Sequence, residues 1–421
     1  MYNKFKIMPR DALPASDPDI DKILSEEENR QQESLNMIAS ENLVSKAVLE
    51  AQGSVLTNKY AEGYPAARYY GGCAWVDRAE RLACERAKEV FKAGHANLQP
   101  HSGASANLAV FFALLDPGER ILGMDLGHGG HLTHGSKVNI SGSYYHSFSY
   151  GVDQGSSLLD LDQVREKAQE VMPKLIIAGA SSYPRLIDFK GFKDLAEEVG
   201  AYLLVDMAHT AGFVAAGLHP NPVHFSDLVT ATTHKTFRGP RGGLILGQEK
   251  YASVIDKAVF PGLQGGPLMH IIAAKAVALK EAQQPSYIKY QKSVLENARA
   301  LARAMTELDF DLITGGTDTH QVLIDLRNKF VSGLEAEKAL EQVNISVNKN
   351  AIPYDPRGPH DPSGIRLGTP TLTSRGMNTQ QMPEIALLIE ETLVSRDNPE
   401  GLGKIKQRVI NLCREFPVYS H

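Results

Sequence analysis

The chain has 421 residues, 43% of them hydrophobic and 22% charged, and a formal net charge of -5. That length exceeds one ordinary core and predicts two domains plus an arm, while the mild acidity, without any long Lys/Arg run, excludes a general nucleic-acid binder. No apolar run of about 18 residues is present, so a membrane span is not expected. The three cysteines, Cys73, Cys84 and Cys413, are odd in number and lack metal-type spacing, which fits a reducing compartment. The first ten residues lack a signal-type apolar core, so the expected location is the cytoplasm.

In chain order, Ser16-Asp17-Pro18 predicts a helix start, with a capping side chain and a proline in the first turn, and the helix runs to about Leu35. Its many Glu and Gln residues leave too few apolar positions for a core face, so residues 1–50 are expected to form an arm lying on another surface. Asn36 to Asn42, which includes Ser40, switches from apolar to polar before a short helix from Ser45 to about Ser54. The stretch Asn58 to Gly72 then packs Tyr60, Glu62, Tyr64, Tyr69 and Tyr70 into one loop without strand or helix periodicity. Such a loop is either functional or an aromatic plug at a subunit interface.

A helix is expected from Val76 to about Phe91. Gln99 to Val110 puts Ser102 and Gly103 just before an apolar helix, which suits a backbone anion cradle and equally an ordinary N-cap. After a strand from Arg120 to Met124, His128, His131 and His134 stand at three-residue intervals. A metal cluster is disfavoured there, because glycines break the rigid helix that paired ligands need. Strand Lys174–Gly179, helix Phe189–Gly200 and strand Tyr202–Asp206 make a strand-helix-strand unit, with Ser181 and His209 just past strand ends.

A β-rich run then breaks at Thr232-Thr-His-Lys-Thr-Phe-Arg-Gly-Pro-Arg-Gly-Gly243 and leaves Lys235 at a strand end before a glycine turn. A lone lysine there is ordinarily a solvated loop residue. Asp206, however, ends a neighbouring buried strand, where ligands bind in open α/β sheets. An acid and an amine so placed are what pyridoxal phosphate needs: a carboxylate for the pyridine nitrogen and an amine for the Schiff base.

Further on come a strand at Gly243–Gly247, a glycine turn from Phe260 to Pro267 containing Gly265 and Gly266, and a helix from Leu268 to about Ala282. Gln284-Pro285 marks the expected boundary between a large domain, 51–283, and a small one, 284–421. The small domain is predicted to hold helices near Ile288–Leu308, Gly333–Gln342, Gln380–Ser395 and Gly401–Glu415. In Ser363 to Thr369, Arg366 is read as standing between glycine-bearing turns, either as a surface ion-pair residue or as a bidentate clamp for a carboxylate.

The segment Thr232–Gly243 resembles the cofactor-lysine segment of serine hydroxymethyltransferases, and the resemblance extends from about Asn36 to about Gly376 with several motifs in order. It implies an α/β, aspartate-aminotransferase-like (fold type I) pyridoxal-phosphate enzyme, with a large mostly parallel sheet domain and a smaller α/β C-terminal domain. The implied activity is reversible transfer of the serine hydroxymethyl group to tetrahydrofolate by a homodimer with shared sites. A folate-independent pyridoxal-phosphate aldolase acting on β-hydroxy amino acids is the alternative.

The resemblance further implies catalytic roles for Lys235, Glu62, Asp206, His131 (stacked over the pyridine ring) and Thr232. Cofactor contacts would come from Ser102, Gly103, Ser181, His209, His234, Gly265 and Gly266. Ser40, Tyr60, Glu62, Tyr70 and Arg366 would bind the amino acid, with Tyr60 and Glu62 serving the neighbouring subunit. Tyr69, Leu126, Gly130, His131, Leu132 and Asn350 would meet the folate. The chain departs from the family pattern at Ala104, Leu263 and Gly358-Pro359-His360.

Overall fold

The computed structural model describes Ile7 and residues 10–419, so most of the N-terminal segment read for a leader lies outside the described residues. The chain divides into two compact units. One comprises Ala47–Lys292 with Ile352–Asp355; the other comprises Met1–Lys46, Ser293–Ala351 and Pro356–His421.

The larger unit is built on seven strands: β1 (His95–Asn97), β2 (Arg120–Met124), β3 (His146–Tyr150), β4 (Leu175–Ala178), β5 (Tyr202–Asp206), β6 (Leu228–Thr232) and β7 (Gly243–Gly247). Their order across the sheet is β1-β7-β6-β5-β4-β2-β3. From β3 to β6 all neighbours are parallel, and β7 runs antiparallel to both β6 and β1. The inner parallel strands are largely apolar runs, as in the fully buried Leu-Ile-Ile-Ala of β4, because helices cover both faces, whereas β3 at the sheet's edge is more polar.

The helix Gly103–Leu114 lays Ala106, Val110 and Phe111 on Leu175, Ile177, Leu204 and Leu228. Each fully buried Leu or Ile of that layer contributes about 1.5–3 kcal/mol. Truncating Phe111, which is 0% exposed, would cost about 3–5 kcal/mol through the cavity left behind. The helix Phe189–Val199 ends at Gly200, whose φ of 68° is a left-handed cap that an L side chain would strain.

Parallel strands deliver all their C-terminal ends to one edge of the sheet. Asp206 pairs with Thr230 in the β5–β6 register, so the ends of β5 and β6 stand side by side there.

In the other unit, helix Pro18–Glu33 is capped by Asp17, whose side chain accepts from the Ile20 N–H at 3.0 Å. Ser16 instead closes a preceding short helix, Leu13–Ser16. The capping helix is tied into its own unit. Arg10 pairs with Asp21 and Glu28 at 2.9 Å each, and the Arg375 guanidinium donates to the Gln31, Gln32 and Ser34 carbonyls. Leu35–Asn36 then runs parallel to Ile345–Ser346. A four-stranded antiparallel sheet holds, in order, Asp311–Leu312, Gln321–Asp325, Gly364–Gly368 and Asn348–Asn350.

One sequence expectation is corrected here. The glycines around Arg366 are not turns, because Gly364–Gly368 is a fully buried strand paired on both sides. The glycine serves close packing, since a Cβ on Gly368 would stand 2.4 Å from the Cα of Ala39.

Candidate active site

Asp206 ends β5 and is held by three donors. Its Oδ2 accepts from Asn107 Nδ2 at 2.9 Å and from His134 Nε2 at 3.1 Å, and its Oδ1 accepts from the Ala208 N–H at 3.0 Å. Burial alone would raise its pKa, but the hydrogen bonds from His134 and Asn107 and the nearby His131 outweigh burial. The carboxyl is held well below the usual carboxylate range. Asp206 is therefore a fixed anion.

The donors around it are themselves fixed. Asn107 spends its second amide hydrogen on Thr133 Oγ1 at 2.8 Å, and its carbonyl accepts the Thr230 hydroxyl at 2.5 Å. His134 Nδ1 accepts the His131 N–H at 3.2 Å, which leaves its ring proton on Nε2, facing Asp206. His131 Nδ1 accepts the Thr133 N–H at 3.2 Å and lies 2.7 Å from the Thr133 hydroxyl. Burial pushes the pKa of His131 down to about 4, so the ring is neutral and flat at physiological pH. His128, the first of the three histidines, instead accepts the Val152 N–H at 3.2 Å.

Lys235 follows β6 by three residues and is 8% exposed, so it is not a solvated loop lysine. Its segment is pinned on both sides: Thr233 Oγ1 donates to the Pro240 carbonyl at 2.5 Å, and Thr236 Oγ1 donates to the His209 carbonyl at 2.9 Å. The Lys235 charge reaches both His131 and His234. Burial first, then Arg241 and Lys235, push the pKa of His234 down to about 3. Its Nδ1 is buried without a hydrogen-bond partner. Thr232 makes a long, 3.4 Å bond to the Ala208 carbonyl. Its methyl group faces Gly103, where a Cβ would come within 2.6 Å, so only glycine fits.

Ser102 caps the helix Gly103–Leu114 in a reciprocal box: its hydroxyl accepts from the Ser105 N–H at 3.1 Å, and Ser105 Oγ accepts from the Ser102 N–H at 2.9 Å. Ser105 is thus engaged in the cap, while the helix N-terminus keeps the partial positive charge that anions seek. Ser181 receives order from its N–H, which donates to the Gly129 carbonyl at 2.8 Å, and His209 is 5% exposed. Leu126 and Leu132 stand 47% and 43% exposed on the loop between β2 and β3, with Gly130 buried between them.

A second group of residues gathers in the same unit. Tyr60 donates to Glu62 Oε1 at 3.1 Å and packs edge-on against Tyr70 at 5.0 Å between ring centroids. Gly265 and Gly266 lie against this pair, since a Cβ on Gly265 would stand 3.0 Å from Glu62 Oε1 and one on Gly266 3.0 Å from the Tyr60 ring. Tyr60 and Tyr70 are 53% and 49% exposed, and Tyr69, edge-on to Phe260, is 73% exposed.

The loop carrying this group is anchored by Arg68. Its guanidinium donates to the Ala61 and Gly63 carbonyls at 2.8 and 2.7 Å, to Asp77 at 2.9 Å and to Glu80. The result is an aromatic, carboxylate-bearing surface built on a buried ion pair.

The other unit holds the remaining three expected residues. Arg366 is 9% exposed, and its Nε donates to Asn348 Oδ1 at 3.2 Å; burial pushes its pKa down to about 10, which leaves it charged. Asn348 also reaches Asn350 Oδ1 at 3.4 Å. Ser40 follows Ala39, whose carbonyl lies 3.1 Å from His320 Nε2 and whose backbone packs on Gly368.

Asn107, Thr133, Thr230 and Asn348 were not singled out from sequence, and His134 was noted there only as a member of a disfavoured metal cluster, not as a partner of Asp206. Spacing alone carried a signal for three of them. Asn107 lies one helical turn beyond Gly103, His134 one 3-10 turn beyond His131, and Thr230 two residues before Thr232 on one strand face.

An anion fixed by three donors, a buried lysine at the end of the adjacent strand, a neutral imidazole within reach of both and a capped helix N-terminus fit a cofactor with a cationic ring and a phosphate. The orphaned Nδ1 of His234 is a further polar atom for such a ligand to meet. The family model for serine hydroxymethyltransferase matches residues 13–389 of the 421, a span that takes in the acid, the lysine, the aromatic loop and Arg366. A match over that much of the chain, on a fold that supplies each group the chemistry requires, means that this chain belongs to the serine hydroxymethyltransferase family.

Proposed function

We infer that Asp206 and Lys235 carry the chemistry of this family, the reversible transfer of the serine hydroxymethyl group to tetrahydrofolate, giving glycine and 5,10-methylenetetrahydrofolate. The chain is a pyridoxal-phosphate-dependent transferase with tetrahydrofolate as co-substrate. When bound, pyridoxal phosphate supplies a conjugated ring that takes up the electrons released as the Cα–Cβ bond of serine breaks.

The observation that carries the assignment is the ionised Asp206, held by three donors beside the strand that leads to Lys235. The carboxylate would hold a proton on the ring nitrogen, and Lys235 would supply the amine that holds the cofactor and yields to that of serine or glycine, with Thr232 beside it. Neutral His131 would stack on the ring of the bound cofactor. Ser102 and Gly103 would hold the phosphate by their amides and hydroxyl, Gly265 and Gly266 would add amides from across the dimer, and Ser181, His209 and His234 would hold the ring's polar edge.

Glu62 moves the proton of the serine hydroxyl, assisted by its partner Tyr60. Arg366 takes the α-carboxylate, with Ser40 and Tyr70 completing amino-acid binding. Tyr69, Leu126, Gly130, Leu132 and Asn350 line the pterin, together with His131.

A homodimer with shared sites is part of this reading. Its support is the exposed Tyr60 and Tyr70 with half-buried Glu62 and the two glycines against them, an aromatic and acidic surface suited to serve a neighbouring subunit. A cytoplasmic location is proposed from the three unpaired cysteines.

Glycine–serine exchange with and without tetrahydrofolate, in wild type and Lys235→Ala, tests the assignment. Exchange should fall by on the order of 10³-fold in the variant. A variant within about tenfold of wild type would overturn the role of Lys235. Serine cleavage by wild type at equal rates with and without folate would point to an aldolase instead.

A further inference from the structure

The regular ladder of β1 with β7 ends at Asn97, one further backbone bond runs from the Gly243 N–H to the Pro100 carbonyl at 3.1 Å, and the carbonyls of Leu98, Pro100 and Gly243 converge on one gap in the interior. Pro100 has no N–H to offer a neighbour. The ammonium of Lys275, on helix Met269–Ala282 and 1% exposed, fills this gap. Its Nζ donates to the Leu98, Pro100 and Gly243 carbonyls at 2.7, 3.1 and 2.7 Å. Three acceptors match the three hydrogens of an ammonium, and the Pro100 carbonyl also accepts the Gly243 N–H at 3.1 Å. Gln264 clamps the same stretch from the other side, giving to the Gln99 carbonyl at 2.9 Å and accepting the His101 N–H at 3.0 Å. The backbone that leads into Ser102 and Gly103 is thus held by two side chains.

All three Lys275 hydrogens go to neutral carbonyls and none to a carboxylate. The acid of this interior, Glu80, is occupied by Arg68 and by Gln99 Nε2 at 2.7 Å. A buried charge without a hydrogen-bonded counter-ion costs several kcal/mol, and an anion bound nearby would offset that cost. Burial pushes the ammonium down to about 7, with Glu80 opposing. The Lys275 charge adds to the lowering that burial imposes on His101 and on His234, the residues that precede Ser102 and Lys235.

We propose that Lys275 is a positioning residue for the cofactor phosphate: it shapes the Leu98–Pro100 backbone that delivers Ser102 and Gly103, and it supplies from behind the positive charge that a phosphate dianion meets. The proposal rests on the reading of Ser102 and Gly103 as the phosphate cradle.

The test is an absorbance titration of full-length apo-protein with pyridoxal phosphate and with pyridoxal, which lacks the phosphate, in wild type, Lys275→Met and Ser102→Ala. Lys275→Met should weaken pyridoxal phosphate about tenfold or more and pyridoxal by less than about twofold. Unchanged affinity for pyridoxal phosphate, or equal loss for both ligands, overturns the proposal, since equal loss is what a merely structural lysine gives. If Ser102→Ala discriminates between the ligands and Lys275→Met does not, the lysine inference fails alone; if neither discriminates, the cradle reading fails with it.

Should Lys275→Met not fold, Gly242→Ala carries the comparison, because its Cβ would stand 2.5 Å from Lys275 Cε and displaces the ammonium without deleting it. The same selective loss is expected there, and an unchanged ratio of the two affinities overturns the proposal.

Discussion

Asn107 Nδ2 lies 2.9 Å from Asp206 Oδ2 across 99 residues of chain, and this carboxamide is the hub of the site's polar interior. Both its hydrogens and its carbonyl are used, so its orientation is settled by its partners: Asp206 and Thr133 receive, and Thr230 gives. Asn107→Ala should leave the Thr230 hydroxyl and one Asp206 oxygen short of partners inside the protein. The expected cost is about 1–3 kcal/mol of unfolding free energy in a urea titration. A loss near zero would mean that water replaces the amide.

Acid unfolding should report Asp206 directly. Its folded pKa is depressed below the ordinary 3.8, so the stability it contributes is fully present above that value and drains away as pH falls toward the folded pKa. Asp206→Asn should remove this part of the acid sensitivity, flattening apo-protein stability below about pH 4. A variant that unfolds as steeply as wild type over that range would contradict the ionised carboxylate.

His131 and His234 act over a higher window. Burial depresses their folded pKa values to about 4 and about 3, while the unfolded chain takes up a proton near 6.5. Stability is therefore full above that unfolded value and falls as pH drops through it, because only the unfolded state gains protons there. Replacing His131 by Phe keeps a flat ring without a titrating nitrogen, so stability of the variant should fall less between about pH 6.5 and 4. Equal slopes for variant and wild type would show that the ring is already protonated when folded.

Arg366→Ala should raise KM for serine by about 10–100-fold, the loss of a charge-assisted carboxylate contact. Arg366→Lys should recover only part of it, since a lysine cannot form two parallel bonds. Steady-state kinetics on serine decides this; an unchanged KM in the alanine variant would assign the carboxylate to another residue.

The exposed Tyr60–Glu62 surface makes a subunit-mixing prediction. If Glu62 serves its neighbour's Lys235, co-refolding inactive Lys235→Ala with inactive Glu62→Ala chains should restore about a quarter of wild-type activity, through the one intact site of each hybrid dimer. No recovery, with hybrids confirmed by mass, would place Glu62 in its own subunit's site.

Local physics was enough for much of this protein. Strands at Arg120–Met124, Tyr202–Asp206 and Gly243–Gly247 were legible because strands buried on both faces are apolar runs bounded by turn residues. Helix Phe189–Val199 was marked by its terminal glycine. Strands His95–Asn97 and His146–Tyr150 were not, because they lie at the two ends of the sheet and carry polar residues in an apolar period. Gly364–Gly368 was misread as turns because glycine signals close backbone approach as readily as a bend, and only the Ala39 contact separates the two.

The sequence by itself determined which residue types were available to the reaction: the lysine after a strand, the acid ending another, the hydroxyl-glycine helix start and the tyrosine-rich loop. Tertiary structure alone decided their state. Asn107 and His134 hold Asp206 ionised, Thr133 sets which nitrogen of His131 accepts a hydrogen bond, and Lys275 fixes the backbone that leads into Ser102. Protonation and tautomer depend on burial and on donors brought from distant parts of the chain, and neither quantity exists until the chain has folded.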